Sequence, residues 1–215
     1  IKGYEFWGFS DIDIIWGKLN NFITEEILDN YDVISSRKNF ISGHFTLLRN
    51  KKMINKLYEK VPNHKNLFKK EKFQWFDEFH FDNYIKQNKK NIKIYWKKNL
   101  LNVENNMDSH QDYHLDRWLW KDGHLTNTKT NEEIMYLHFI NWKNSIKKNE
   151  IKYNGDLNSF FISYNKINAF RHPIYIQYIN YIKNLIFGYW TMEKVRVSKY
   201  KILSFYKKFL NKVSL

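Results

Sequence analysis

Residues 6–17 read F-W-G-F-S-D-I-D-I-I-W-G, an apolar and aromatic run that is interrupted by Asp11 and Asp13. The apolar flanks predict a buried strand over residues 5–10 that ends at the aspartates. Side chains two residues apart in an extended segment face the same side, so we expect Asp11 and Asp13 to converge while Ile12 points away. Converging carboxylates form an oxygen site for Mg²⁺ or Mn²⁺. The three letters D-x-D also occur in solvated loops, and the apolar flanks are what favour a metal site.

The composition is that of one globular domain. The chain has 215 residues, of which 43% are hydrophobic and 19% aromatic, so it can bury a substantial core. It contains no cysteine, which excludes disulfides, thiolate-ligated metal sites and thiol nucleophiles. No apolar run approaches the ~18 residues that predict a transmembrane helix. We therefore expect a cytoplasmic protein that is soluble or lies peripherally at the inner face of the membrane.

The net charge of +14 raises the alternative of a basic nucleic-acid-binding module without catalytic activity. Only five of the 36 basic residues are Arg, the side chain that is favoured for phosphate recognition. The aromatic residues fall mostly in strand-like runs, where core packing explains them. We therefore expect no nucleic-acid partner.

The charge is concentrated near the C-terminus. Residues 151–215 carry eleven basic and two acidic side chains, with apolar residues at helical spacing from about residue 173. This pattern predicts a basic amphipathic helical extension. Two arrangements are open, a helix packed on the domain with a lysine-rich solvent face and a peripheral helix on an anionic membrane surface.

The remaining pattern interleaves helices and strands, which favours an α/β fold for residues 1–150. After the first strand, strands are predicted at 32–35, 44–49, 92–96 and 133–142, helices at 24–31, 50–61 and 76–90, and a hairpin at 117–128. The hairpin turns at Asp122-Gly123, a strong short-range turn signal. The helix at 50–61 is expected to be capped by Asn50 and stopped by Pro62.

Six stretches carry a resemblance to a known family. They are G-Y-E-F-W-G-F-S-D-I-D-I-I-W-G at 3–17, F-I-T-E-E-I-L-D-N-Y-D at 22–32, S-G-H-F-T-L-L-R-N at 42–50, F-D-E at 76–78, W-K-D-G-H-L at 120–125 and Y-L-H-F at 136–139. In this order and spacing they resemble bacterial glycosyltransferase-like proteins long catalogued only as a domain of unknown function. That family is grouped with the GT-A-type sugar-nucleotide transferases, and the resemblance spans roughly residues 1–145.

The resemblance implies a Rossmann-like GT-A domain that is incomplete at its N-terminus, because the chain opens at Ile1 without the strands that bind the nucleotide. It implies metal-dependent transfer of a sugar from a nucleotide sugar to a glycan or lipid-linked acceptor in bacterial surface polysaccharide synthesis. Asp11 and Asp13 would hold Mn²⁺ or Mg²⁺ and, through it, the donor diphosphate. His138 would complete the metal site or contact the diphosphate, although a lone strand histidine is otherwise typical of a packed core.

Four further residues receive expected roles from the same resemblance. Gly43 and His44 would approach the donor sugar or the acceptor, and Asp77 or Glu78 would act as the catalytic base. The alternatives are a histidine packed at the start of a strand and two acids that only complement the first turn of a helix.

A second group of potential ligands lies in H-Q-D-Y-H-L-D at 110–116, where His110, Asp112, His114 and Asp116 are evenly spaced. A metallohydrolase could use such residues, but the H-E-x-x-H motif is absent. The segment is expected to be an exposed loop rather than a metal site.

Overall fold

The computed structural model describes residues 3–37, 41–72, 74–88, 92–96, 114–139, 158–164 and 166–187, which mix short helices with three sheets. The strands in these ranges are β1 (Phe6–Phe9), β2 (Ile14–Trp16), β3 (Val33–Ser35), β4 (Thr46–Arg49), β5 (Ile94–Trp96), β6 (Trp118–Lys121), β7 (His124–Asn127), β8 (Glu133–Ile134), β9 (Tyr136–His138), β10 (Ser159–Ile162) and β11 (Ile167–Asn168). The helices are α1 (Glu25–Asn30), α2 (Lys52–Asn55), α3 (His64–Phe68), α4 (Asp82–Asn88) and α5 (Ile174–Phe187), with 3₁₀ turns at Leu19–Asn21 and Leu57–Lys60 and a π-helix at Phe76–Phe81.

A four-stranded sheet in the order β1-β4-β3-β5 forms the first layer. Its pairs are antiparallel except β3 with β5, which run parallel. Strand β3 is central and is buried throughout, because Val33, Ile34 and Ser35 are each 0% exposed. The chain enters β3 from α1, whose N-cap is Thr24 as the sequence predicts, with its hydroxyl accepting from the Ile27 amide.

A five-stranded antiparallel sheet in the order β11-β10-β6-β7-β8 forms the second layer. The predicted hairpin is confirmed as β6 and β7, with positive φ angles of 50° at Asp122 and 84° at Gly123. Strand β10 pairs with β6, so residues from the predicted C-terminal extension complete a sheet that begins in the 1–150 segment.

A two-stranded sheet joins β2 to β9, and it is the element that builds the site. Its register sets Ile14 opposite His138 and Trp16 opposite Tyr136. The single strand predicted for 133–142 is wrong, because β8 pairs with β7 whereas β9 pairs with β2. Buried Met135 lies between them, where the chain passes from one sheet to the other; residues 140–142 lie outside the described ranges.

The long helix predicted for 50–61 is also wrong. The chain forms α2 and then a separate 3₁₀ turn, with Lys51 at the N-cap position and no side-chain cap. Asn50 does not cap the helix because its side chain is used elsewhere: it donates to the Tyr4 carbonyl and accepts from Asn55. The helix predicted for 76–90 begins as the π-helix and continues as α4.

Helix α5 is inverted in polarity relative to an ordinary surface helix. Its half-buried residues, among the side chains that the structure describes, are Ile176, Gln177 and Asn180, and Asn180 accepts a hydrogen bond from the Tyr164 hydroxyl. Its exposed side is apolar, with side chains between 43% and 72% exposed at Ile174, Tyr175, Tyr178, Ile179, Tyr181, Ile182, Leu185 and Ile186. The predicted lysine-rich solvent face is wrong for these residues, since Lys183 is the only charged residue in α5. Residues 188–215 lie outside the described ranges. Among the helices that the structure describes, none is long and apolar enough to cross a membrane.

Candidate metal centre

Asp11 and Asp13 lie in the bend between β1 and β2, and their side chains converge as the sequence predicts. Their convergence point is His138, whose Nε2 lies 3.2 Å from Oδ2 of Asp11 and 3.4 Å from Oδ2 of Asp13. Ile12 between them is fully exposed at 103%. The predicted strand is confirmed at β1, but the aspartates follow its end in a bend. The β2–β9 register then brings His138 beside them.

These three side chains fit a divalent cation. One ligand atom from each lies within 4.8 Å of the other two. Two atoms that bind one ion at about 2.1 Å and a right angle are about 3.0 Å apart, close to the distances from Nε2 to the two carboxylates. Two carboxylate oxygens and one imidazole nitrogen form a ligand set that can bind a divalent cation such as Mn²⁺ or Mg²⁺. The three ligands leave further positions on such an ion for substrate oxygens.

The exposed fraction of the side chain increases from His138 through Asp13 to Asp11. The side chain of His138 is 2% exposed, that of Asp13 19% and that of Asp11 46%. The site therefore opens at Asp11 and is closed behind His138. A ligand that binds the cation would arrive on the Asp11 side.

His44 supports His138 from within the protein. The two imidazole rings stack with centroids 5.2 Å apart. His44 is 2% exposed, and its Nδ1 lies 3.3 Å from the Ser36 hydroxyl and in hydrogen-bond contact with the Tyr136 hydroxyl. His44 thus reaches the site by orienting the ring of His138.

Gly43 connects this centre to the two predicted catalytic acids. Its amide donates to Oε1 of Glu78 at 3.1 Å, and the same oxygen accepts from Nη1 of Arg37 at 3.3 Å. A Cβ added at Gly43 would stand 2.9 Å from Oδ2 of Asp77 and 3.3 Å from Oε1 of Glu78. A side chain at position 43 would therefore displace one or both carboxylates from these positions.

The segment that presents Asp77 and Glu78 has two unusual backbone features. Trp75 adopts a left-handed conformation with φ 45° and ψ 45°, which is rare for a bulky residue. A π-helix follows directly, and π-helical turns occur frequently at functional sites. The segment is tied to the loop before Gly43 by Asp82, whose buried carboxylate accepts from the Ile41 amide at 2.8 Å.

An open cavity of about 430 Å³ adjoins this segment. Trp75 contributes an indole that is 60% exposed, and Asp77, whose carboxylate abuts Gly43, also lines the cavity. The remaining lining residues are Leu67, Lys70, Glu71, Lys72, Gln74 and Phe76. The carboxylate that abuts Gly43 therefore also faces a space of the size that small ligands occupy.

The structure brings the predicted site residues into one chain of contacts, which runs from the aspartates through His138 and His44 to Gly43 and the two acids. The sequence alone does not identify Ser36, Arg37 and Tyr136 as members of the site. The position of Tyr136 was a usable signal, because it lies two residues before His138 on the same strand. The partners of Arg37 depend on the tertiary fold.

The second group of potential ligands does not form a metal cluster among its described members. Asp116 is 1% exposed and accepts from Nδ1 of His172 at 2.7 Å and from the Ser163 hydroxyl at 3.3 Å. The expectation of an exposed loop is wrong for Asp116 because these partners bury it. His114 stacks on Tyr181 of α5, while residues 110 and 112 lie outside the described ranges.

No curated protein and no solved structure matches the chain. A family model matches residues 1–171, which is most of the chain. The protein therefore belongs to a family of unknown function, DUF6625.

Proposed function

We propose that the protein is a metal-dependent glycosyltransferase with a GT-A-like fold. It transfers a sugar from a nucleotide sugar to a glycan or lipid-linked acceptor in cell-surface polysaccharide synthesis. The observation that carries the proposal is the meeting of Asp11, Asp13 and His138 at ligand distances. A separate carboxylate, Asp77, lines a cavity and, among the described residues, is linked to this cluster only through Gly43 and the neighbouring His44. A cation site and a separate acid are what transfer from a diphosphate leaving group needs.

The donor diphosphate would bind at the open side of the metal centre. A bound Mn²⁺ supplies positive charge that stabilises the departing diphosphate. Asp13 and His138 hold their positions because both are largely buried, and Asp11 is the ligand that faces the incoming donor. Arg37 is 26% exposed at its side chain and adds a cation near Gly43.

Asp77 is the better candidate for the catalytic base. Glu78 already accepts from the Gly43 amide and from Arg37, which fixes its position and leaves it a positioning residue. Asp77 lines the cavity, where it could take the proton of an acceptor hydroxyl. The hydroxyl oxygen then forms a bond to the anomeric carbon, and the bond from that carbon to the diphosphate oxygen breaks. The electron pair leaves with the nucleoside diphosphate.

The acceptor would bind in the cavity beside Asp77. Trp75 offers a flat apolar surface there, and the charged and amide side chains around it can hydrogen-bond hydroxyl groups. Holding an unfavourable backbone conformation costs about 1–3 kcal/mol, and such strain clusters at ligand sites. This supports a role for Trp75 in contacting a sugar ring.

Calorimetric titration of UDP-, GDP- and CMP-sugars tests the proposal. One of them should bind in the presence of Mn²⁺, and replacing Mn²⁺ with EDTA should remove the binding. Asp13→Asn keeps the shape of the side chain but removes its charge, and it should abolish metal-dependent binding with little change in unfolding. Nucleotide-sugar binding that is equal with and without Mn²⁺ would overturn the metal assignment. Steeply salt-dependent binding of an oligonucleotide, without nucleotide-sugar binding, would favour the nucleic-acid alternative.

A further inference from the structure

A second cavity, of about 290 Å³, lies between the start of β6 and helix α5. Its lining includes three permanent cations, Arg117, Lys129 and Arg171, together with His114, Leu115, Thr128 and Gln177. No carboxylate is among these lining residues. The lining is therefore strongly positive and is suited to an anion.

The groups around the cavity keep it positive. Arg117 is 7% exposed, and burial lowers its pKa from a value so high that the guanidinium stays charged. Burial and the nearby Lys129 lower the pKa of His114, so this imidazole is neutral at pH 7 and can hydrogen-bond without adding charge. The neighbouring Asp116 directs its carboxylate oxygens to His172 and Ser163.

The helix that borders this cavity has the inverted polarity described above. Gln177 lies on its half-buried side and lines the cavity. On the exposed side of the same helix, Tyr178 and Ile182 are 63% and 50% exposed and belong to the eight-residue apolar surface of α5. A cationic cavity and an exposed apolar surface thus share one helix. Exposed apolar patches of this kind mark interaction sites with proteins or membranes.

We propose that α5 lies on an anionic lipid surface and that the cavity behind it binds the phosphate of a lipid headgroup. Tyrosine and isoleucine on the exposed side suit the boundary between headgroups and acyl chains. Charge complementarity favours an anionic lipid over a zwitterionic one, because the cavity lining is cationic. The sequence of residues 188–215 also contains seven basic residues and one acidic residue. The inference stands apart from the proposed transferase activity, since none of its residues belongs to the metal centre.

Vesicle sedimentation of the full chain tests the inference. The protein should sediment with vesicles that contain phosphatidylglycerol and remain in solution with phosphatidylcholine alone. Lys129→Ala combined with Arg171→Ala should weaken binding roughly thirtyfold, because each basic residue contributes about 1 kcal/mol at an anionic surface. Tyr178→Ser combined with Ile182→Ser should weaken it by about tenfold or more, through loss of buried apolar area. A charge-matched control is Lys65→Ala with Lys69→Ala, on exposed positions that line neither cavity, and it should change binding much less.

Four results would overturn the inference. The control pair could weaken binding as much as the cavity pair, which would indicate a diffuse charge effect. Inorganic phosphate could bind the protein in a calorimetric titration while the protein sediments neither with phosphatidylglycerol-containing vesicles nor with phosphatidylcholine vesicles. This result would indicate a soluble phosphate ligand. Tyr178→Ser with Ile182→Ser could leave sedimentation unchanged. The same pair could instead convert an oligomer to a monomer in light scattering, which would identify a second copy of the chain as the occupant. In every variant, Mn²⁺-dependent nucleotide-sugar binding serves as the readout for the transferase proposal and should remain unchanged.

Discussion

The imidazole rings of His44 and His138 stack with an angle of 24° between their planes. His138 faces the two aspartates, and His44 lies behind it in contact with the hydroxyls of Ser36 and Tyr136. The ring of His138 is therefore held against His44, and His44 is itself fixed by its contacts with the two hydroxyls. The arrangement orients Nε2 of His138 before any ligand arrives, which is what a preorganised metal site requires.

Tyr136→Phe tests this support. Tyr136 is completely buried, and phenylalanine fills the same space without the hydroxyl that contacts His44. We expect Mn²⁺ affinity to fall by about tenfold, the lower end of the range for partners of metal-binding histidines. The free energy of unfolding should change by only about 1 kcal/mol. Calorimetric Mn²⁺ titration and urea unfolding measure the two quantities.

The matched control for that substitution is Tyr164→Phe. It also removes one tyrosine hydroxyl bond, to Asn180, at a site away from the aspartates. Its Mn²⁺ affinity should equal that of the unmodified protein. If Tyr136→Phe binds Mn²⁺ as tightly as Tyr164→Phe does, the support from His44 has no role in metal binding.

Gly43→Ala should separate activity from stability. The new methyl group would crowd the carboxylates of Asp77 and Glu78 and displace them, so sugar transfer should fall while unfolding changes little. Gly123→Ala is the opposite case, because nothing lies within 4 Å of the added methyl but φ is +84°. It should lower the free energy of unfolding by about 1–3 kcal/mol and leave transfer unchanged. Equal transfer rates for the two variants would contradict the placement of the acids.

Asp82→Ala should destabilise the protein. The carboxylate is 3% exposed, accepts from the Ile41 amide and pairs with Lys86. Its removal leaves a buried amide without its acceptor, which costs about 1–3 kcal/mol. Lys86→Ala is the comparison, and it should cost less than Asp82→Ala because Lys86 is partly exposed and the Ile41 amide keeps its acceptor. Urea unfolding of both variants gives the order, and a larger loss for Lys86→Ala would refute the role of Asp82.

The sequence predicts the cluster of Asp11, Asp13 and His138 better than it predicts the helices and strands around it. The convergence of Asp11 and Asp13 requires only that side chains two residues apart point to the same side of the chain. In the structure they do so in a bend, as they would in a strand. The partnership with His138 depends on the β2–β9 register, which joins residues far apart in the chain. Only the resemblance to a known family, with its late histidine, anticipated that residue.

A local sequence pattern also does not determine whether the apolar side of a helix faces the core or the solvent. The sequence of α5 shows helical spacing of apolar residues, and the usual assumption directs them into the core. The structure directs Gln177 and Asn180 inwards instead, because His172, Tyr164 and the cationic cavity offer them polar partners.

Similarly, the apolar run at 133–142 shows no break at Met135, where the chain changes sheets. Such features arise from tertiary pairing rather than from local pattern.

Trp75→Ala tests the acceptor site against an aromatic residue of matched exposure. Trp75 precedes the π-helix, is 60% exposed and lines the cavity beside Asp77, whereas Phe79 lies within the π-helix, is 59% exposed and does not line the cavity. We expect Trp75→Ala to raise the KM for the acceptor by at least about tenfold, since burying a large aromatic ring against a ligand is worth about 1.5–3 kcal/mol. Nucleotide-sugar affinity should remain unchanged in both variants, and Phe79→Ala should keep the original KM for the acceptor. Equal KM increases in the two variants would show that general disturbance of the π-helix, rather than a contact with the acceptor, explains the loss.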